Sequence, residues 1–370
     1  MYKAGQVATK LEGDFIMDEK QLYWVGVDVS KDDFDAAVVG PGQHPSAEVI
    51  RGLPAQTFCR DPKGVKEFVR WLRDLVPTSK PLAARVVMEA TGGYSIELAA
   101  MINKRCGDLF PSIANPQWTK AFRDSLGLRN KTDRLDARAL AFYGLSHQPD
   151  PYEPLSPAQA ELRSLSRCRG NLINDRVAHQ ARLQQKPASP VSRNSYKEVV
   201  AMLNKQINEL EKEMLRVIRS DADLKRDYTL LMTIPGVGFV TAATVLGELG
   251  DLRRFGSSRQ IGAHAGVTAS HNDSGKSTPP AHMSKKGNSR LRRALYMASL
   301  SAAKYNPHMR TVYQRLKGNG KAKKVALGAV MRKLIVLMRA IIVSGRPYDR
   351  KWKTQCKNAP GNLPTPTKVA

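Results

Sequence analysis

The chain has 370 residues, 42% of them apolar and 25% charged, which allows ordinary hydrophobic cores and excludes a mainly disordered protein. Its 59 Lys plus Arg stand against 33 Asp plus Glu, a formal net charge of +26 that calls for a polyanionic partner, either nucleic acid or an anionic membrane. No apolar run reaches the roughly 18 residues of a membrane span, since the longest greasy stretch, Val325 to Val343, carries Arg332, Lys333 and Arg339. The acids and the lysine between Leu11 and Leu22 leave no secretory h-region, so a cytoplasmic, nucleic-acid-handling protein of two or three domains is expected. Cys59, Cys106, Cys168 and Cys356 are scattered without a zinc spacing and read as reduced structural thiols.

Residues 1–21 read as a polar leader. Tyr23–Val29 and Phe34–Val39 read as two strands paired like a hairpin across Ser30-Lys31-Asp32-Asp33. The spacing of Val65, Phe68, Val69 and Leu72 predicts a helix over Pro62 to Leu75. Ala83–Met88 is a compact apolar strand stopped by Thr91-Gly92-Gly93, and a helix follows from about Tyr94. A short strand near Leu109–Ala114 ends at Asn115-Pro116, with helices from about Gln117 and Thr132. This alternation predicts an α/β domain over 22–150. Pro149, Pro151, Pro154 and Pro157 then mark a linker into a helical arm over 151–220. There Val199, Leu203, Ile207, Leu210, Met214 and Val217 form an a/d seam over 195–220, with 156–184 as the expected partner and Lys186-Pro187 and Pro190 as the break. Such a seam serves an intramolecular hairpin as well as a coiled-coil dimer. A mainly helical domain is expected over 221–348, and a loose tail over 349–370. Between Leu252 and Ala340 stand 19 Lys plus Arg and a single acid, Asp273, a one-sided charge that predicts contact with phosphate backbones.

Asp28 ends the first strand and Glu89 ends a later one, so the two carboxylates converge if the strands are neighbours. Asp133 and Asp136 are three apart, which on a helix puts both on one face. Four oxygen donors without His or Cys suit Mg²⁺ rather than zinc, and two such ions can stabilise the attacking and leaving oxygens of a phosphodiester displacement. Taken singly, each acid also fits a turn, a surface position or a pair with Arg134 or Arg138. The order strand Asp, strand Glu, helical Asp-x-x-Asp is what joins them.

Val25-Gly26-Val27-Asp28-Val29-Ser30-Lys31, Met88-Glu89-Ala90-Thr91-Gly92 and Leu128-Arg129-Asn130-Lys131-Thr132-Asp133, with Asp136-Ala137-Arg138 following, resemble the DEDD insertion-sequence transposases. These are recombinases guided by a bridge RNA. The resemblance implies a RuvC-like, ribonuclease-H-like N-terminal fold in which Asp28, Glu89, Asp133 and Asp136 form a metal-binding tetrad. It extends downstream to Met283-Ser284-Lys285-Lys286-Gly287-Asn288 and Leu291-Arg292-Arg293-Ala294-Leu295, and it implies that Ser274, before Gly275, is a nucleophile. A seryl attack gives a phosphoserine ester close in energy to the bond broken, so reversal can reseal the strand. The resemblance further implies DNA as substrate, a structured guide RNA, and a dimer or tetramer with composite sites.

Other motifs narrow the chemistry. Pro235-Gly236-Val237-Gly238 resembles a helix-hairpin-helix turn whose N–H groups at Gly236 and Gly238 can hold a phosphate. A dinucleotide loop is excluded by Thr241, and Ser270 excludes a Walker A reading of Gly275-Lys276-Ser277. Lys276, Lys285, Lys286, Arg290, Arg292 and Arg293 are the expected backbone-contacting cations, and Asp273 is a candidate helper beside the serine. Two other readings stay open: a structure-specific nuclease using water, which needs the tetrad but not Ser274, and a nucleic-acid-binding protein without catalysis.

Overall fold

The computed structural model describes residues 22–76, 82–109, 111–128, 132–187, 189–270 and 282–349. They fall into two compact units, one ending at Pro154 and one beginning at Leu155.

The first unit is built on a five-stranded sheet in the order β3-β2-β1-β4-β5. Strand β1 (Tyr23–Val29) pairs antiparallel with β2 (Asp33–Val39), which pairs antiparallel with β3 (Ala55–Cys59). On its other side β1 runs parallel to β4 (Ala84–Glu89), and β4 parallel to β5 (Pro111–Ala114). Alternation of side chains along β1 decides what each face meets. Val25, Val27 and Val29 join a core with α2 (Pro62–Leu75) and α3 (Tyr94–Arg105), through Phe68, Leu72, Leu98 and Ile102. Trp24 faces the opposite core with Val87, Ala141 and Phe142, where α5 (Asp133–His147) lies. Helices α1 (Ala47–Gly52) and α4 (Pro116–Ser125) complete this layer.

Gly26 explains how closely α5 approaches. A Cβ there would sit 2.0 Å from the Ala137 carbonyl and 2.1 Å from the Ala141 amide, so only a bare Cα fits between strand and helix. One step earlier on this face, Trp24 packs on Gly144. The contacts run from Gly144 back to Ala137 as β1 runs forward, so the first turn of α5 arrives beside Asp28.

In the second unit, α6 (Pro157–Gln184) and α7 (Pro190–Ser220) form an antiparallel hairpin. Arg169 Nη2 lies 2.7 Å from Glu211 Oε1, Arg176 Nη1 donates to Asn204 Oδ1 at 2.9 Å, and Arg216 reaches Glu161 at 3.6 Å. The heptad seam therefore closes within the chain, with Leu203, Ile207, Met214 and Val217 buried. Helix α7 begins at Pro190, five residues before the start that the seam suggests, because proline is well placed in a first turn, where its missing N–H has no partner to lose. Helix α6 starts with a capping box from Ser156 and Gln159.

Helices α8 (Ala222–Met232), α9 (Phe239–Leu249), α10 (Ser258–His264), α11 (Ser289–Tyr305), α12 (Pro307–Gly318) and α13 (Lys323–Ser344) enclose one core containing Leu246, Leu249, Leu295, Val330, Leu334 and Met338. The short strands β6 (Ala269–Ser270) and β7 (His282–Met283) pair antiparallel. The chain is thus a mixed α/β unit followed by a helical one. Among the described residues, no helix is long and apolar enough to cross a membrane.

Candidate functional site

Asp28 and Glu89 stand side by side. Val27 pairs with Met88 in the parallel β1–β4 register, so the next residues along both strands are these two acids, on the sheet face covered by α5. Helix α5 supplies the other pair. The Thr132 side chain accepts from the Leu135 N–H at the helix start, which places Asp133 and Asp136 in the first turn, where the helix dipole favours anions.

Electrostatics tie the four together. Burial, then the charges of Asp136, Asp133 and Glu89, push the Asp28 carboxyl up from 3.8 to about 6, against a lowering hydrogen bond from the Val29 backbone. Two of the acids are engaged by neighbours on α4. Arg123 Nε lies 2.9 Å from Asp136 Oδ1, and the Thr119 hydroxyl donates to Glu89 Oε2 at 2.8 Å. Among the described residues no three acids, histidines or cysteines stand at metal-ligand spacing. Binding a cation would require Asp136 to turn from Arg123.

Asp35 is a fifth carboxylate on this face, opposite Asp28 in the antiparallel register. It accepts from the Thr57 hydroxyl at 2.6 Å and lies 3.7 Å from Arg134 Nε. The hairpin pairing predicted from the sequence already implied that position, since residues equidistant from the Ser30–Asp33 turn share a face.

In the second unit, the Pro235-Gly236-Val237-Gly238 turn joins α8 to α9. Gly236 adopts φ +98°, and a Cβ there would meet the Ala302 amide of α11 at 2.5 Å, so this glycine serves packing as well as turning. Gly238 is exposed and caps α9 without a side-chain hydrogen bond, leaving that helix start open. Lys285, Lys286 and Arg290 are exposed. Arg292 Nη1 instead donates to the Lys285 carbonyl at 3.2 Å, and Arg293 Nη1 to Asn174 Oδ1 at 2.9 Å. Ser274, with Asp273 and Lys276, lies outside the described residues.

Two family models match consecutive parts of the chain. One, described as a transposase of the DEDD type, covers residues 25–186, and the other, described as the transposase IS116/IS110/IS902 family, covers 228–314. Both models describe transposases, and the chain is a DNA transposase. A pilin gene-inverting protein of Moraxella bovis is 28% identical over 331 residues, spanning 89% of this chain and 98% of that protein. The transposase of insertion element IS1111A from Coxiella burnetii is 26% identical over 241 residues, covering 57% of this chain and 63% of that protein.

Glu248 of this transposase belongs to none of the sequence motifs. It is 2% exposed, accepts from Arg167 Nε and Nη2 at 2.8 Å each, and accepts from Asn288 Nδ2 at 2.7 Å. Asn288 in turn caps α11, accepting from the Arg290 and Leu291 amides. One buried carboxylate thereby links α6, α9 and the start of α11. The signal was available, as Glu248 is the only charged residue in α9, whose other residues are apolar apart from Thr241 and Thr244.

Proposed function

We propose that this transposase cuts and rejoins DNA through a phosphoserine link at Ser274, with Asp28, Glu89, Asp133 and Asp136 as a Mg²⁺-binding tetrad. The observation that carries it is the gathering of three other carboxylates around the buried Asp28, where burial first and then their charges push its carboxyl up to about 6. Carboxylates so placed repel one another, and a divalent cation relieves that repulsion. All-oxygen donors match a hard ion. Such an ion supplies charge stabilisation for the attacking and leaving oxygens of a phosphodiester. A sheet with three antiparallel strands followed by two parallel ones supports a ribonuclease-H-like first unit.

The protein's own residues do the following. The Ser274 oxygen attacks the phosphorus, forming the seryl–phosphate bond and breaking the bond to a deoxyribose oxygen, which leaves with a proton. Reversal with a new deoxyribose hydroxyl reseals the strand, so no nucleotide hydrolysis is needed. The open start of α9 at Gly238 and the exposed Lys285, Lys286 and Arg290 hold phosphates of the duplex. Lys276 stands beside the serine in sequence and contributes positive charge to the same phosphate. A structured guide RNA from the element selects the sites, and several copies assemble so that one subunit's tetrad meets another's serine.

The test is a denaturing gel for protein trapped on cut DNA, with Mg²⁺, guide RNA and a plasmid carrying the element end. Ser274→Ala abolishes the adduct, and Asp28→Asn or Glu89→Gln abolishes cutting. Cutting by Ser274→Ala would instead establish water as the nucleophile. Mixing Ser274→Ala with Asp28→Asn protein restores activity if sites are composite, and leaves it dead if each subunit is self-sufficient.

A further inference from the structure

Helices α11, α12 and α13 bury Leu295, Met309, Val330 and Leu334 against one another and leave an open groove between them. The groove has a volume of about 670 Å³. Its lining mixes two chemistries: Leu300, Tyr313 and Leu327 with Lys304, Arg310 and Lys317. Leu300 is 42% exposed and Tyr313 half-buried, whereas Leu327 forms a buried floor. Lys304 Nζ stands 5.1 Å from the centroid of the Tyr305 ring. Arg310 Nε donates to the Lys304 carbonyl at 3.0 Å, which fixes its guanidinium at the groove.

The charge is one-sided. Residues 274–348 contain no Asp or Glu, and among the described residues no carboxylate pairs with Lys304, Arg310 or Lys317. Three cations call for an anion. The apolar lining and the tyrosine call for a flat, partly apolar group attached to it. A duplex supplies the first and hides the second, because its bases are stacked inside. An unpaired strand supplies both: backbone phosphates for the cations and a base face for the ring. The volume also falls within the roughly 300–1,000 Å³ of small-ligand sites, enough for a nucleotide or two but not for a double helix.

We propose that this groove is a binding site for an unpaired nucleic-acid strand, with phosphates on Lys304, Arg310 and Lys317 and a base against Leu300 and Tyr313. It rests on the transposase reading only in expecting nucleic acid as the ligand. Strand exchange passes through unpaired segments, and a site that favours them holds a strand between cutting and rejoining.

The test uses the full chain without divalent metal, so that strand cutting plays no part. Fluorescence anisotropy follows oligo(dT), oligo(U) and a duplex, each of about 12 nucleotides or base pairs, within the range one stacking platform covers. For the double variant Lys304→Ala/Lys317→Ala, the slope of log affinity against log salt for single strands falls by about 1.4, at about 0.7 for each phosphate no longer neutralised. Duplex affinity changes less than about twofold, because the cations that hold a duplex lie elsewhere. The variant Lys304→Arg/Lys317→Arg retains the native slope, and thermal melting checks that each variant is folded. A 5-iodouracil strand cross-links to the peptide containing Tyr313. An unchanged single-strand slope, an equal loss for duplex, or cross-links confined to other peptides would each overturn the assignment. Tighter binding of either oligo(U) or oligo(dT) supports it, and oligo(dU) separates a preference for the sugar from one for the thymine methyl. Failure of the native chain to cut the plasmid, with single-strand binding intact, would refute the catalytic proposal and leave this one standing.

Discussion

With its carboxyl at about 6, Asp28 is half-protonated near pH 6 and ionised by pH 8. In the unfolded chain the aspartate is neither buried nor crowded by other acids, so it titrates near 3.8. Between those values the native state holds more protons than the unfolded state, and stability falls as pH rises. Above about 6 the penalty is fully present, and below 3.8 it is absent. In metal-free buffer the urea midpoint of the native chain should therefore drop more between pH 5 and pH 8 than that of Asp28→Asn. Equal drops would mean that Asp28 lacks the crowding described. Adding Mg²⁺ at pH 8 should raise the native midpoint and not the variant's, because an ion that binds only the folded site stabilises it by mass action. At this scale the sequence was informative for a simple reason: strand ends and a three-residue helical spacing put acids in definite places. Thr119 and Arg123 were invisible, because their meeting with Glu89 and Asp136 depends on where α4 packs.

The approach of α5 to β1 is what brings the two pairs of acids together, and Gly26 sets it. Gly26→Ala would press a methyl to 2.0 Å from the Ala137 carbonyl, a backbone atom that cannot swing aside. A loss of about 3 kcal/mol by urea unfolding is expected, at the upper end of overpacking costs. Gly52→Ala, at the end of α1 with nothing within 4 Å, should change stability by less than about 1 kcal/mol. Glu248 plays the corresponding part in the second unit. Glu248→Ala leaves the half-exposed Arg167 and the capping Asn288 without their shared acceptor, and about 3 kcal/mol should be lost, the lower end for a broken buried pair. Helix α2 is legible to the residue because it buries one clear stripe, and β1 is legible to the residue because it is a nearly continuous apolar run buried on both faces. The edge strand β3 was not read. Of Ala55-Gln56-Thr57-Phe58-Cys59 only Phe58 is buried, so it carries almost no alternation, and pairing with β2 alone makes it a strand.

Charge divides along the same line as the fold. Residues 1–154 carry 20 Lys plus Arg and 20 Asp plus Glu, whereas 155–370 carry 39 and 13, so the whole surplus of +26 belongs to the second unit. The cores divide likewise. Two clusters, centred on Phe68 and on Phe142, lie in the first unit, and one, running from Leu162 to Ile342, lies in the second. On the proposed mechanism the neutral unit contributes the clustered acids, while the basic unit contributes both the serine and the affinity for nucleic acid. The surplus was plain in the sequence, but its confinement needed the boundary at Pro154, which a run of prolines only suggested. Expressed separately, 155–349 should bind duplex DNA with a salt slope close to that of the full chain, while 22–154 should show no measurable binding at about 0.15 M salt. Counterion release explains the contrast: at about 0.9 per phosphate neutralised, the slope counts cations at the interface, and 22–154 carries 17 Lys plus Arg against 16 Asp plus Glu, almost no net positive charge to contribute. If 22–154 retained half the slope, its arginines would have to be clustered against the duplex despite that neutrality. Backbone binding would then be shared between the two units.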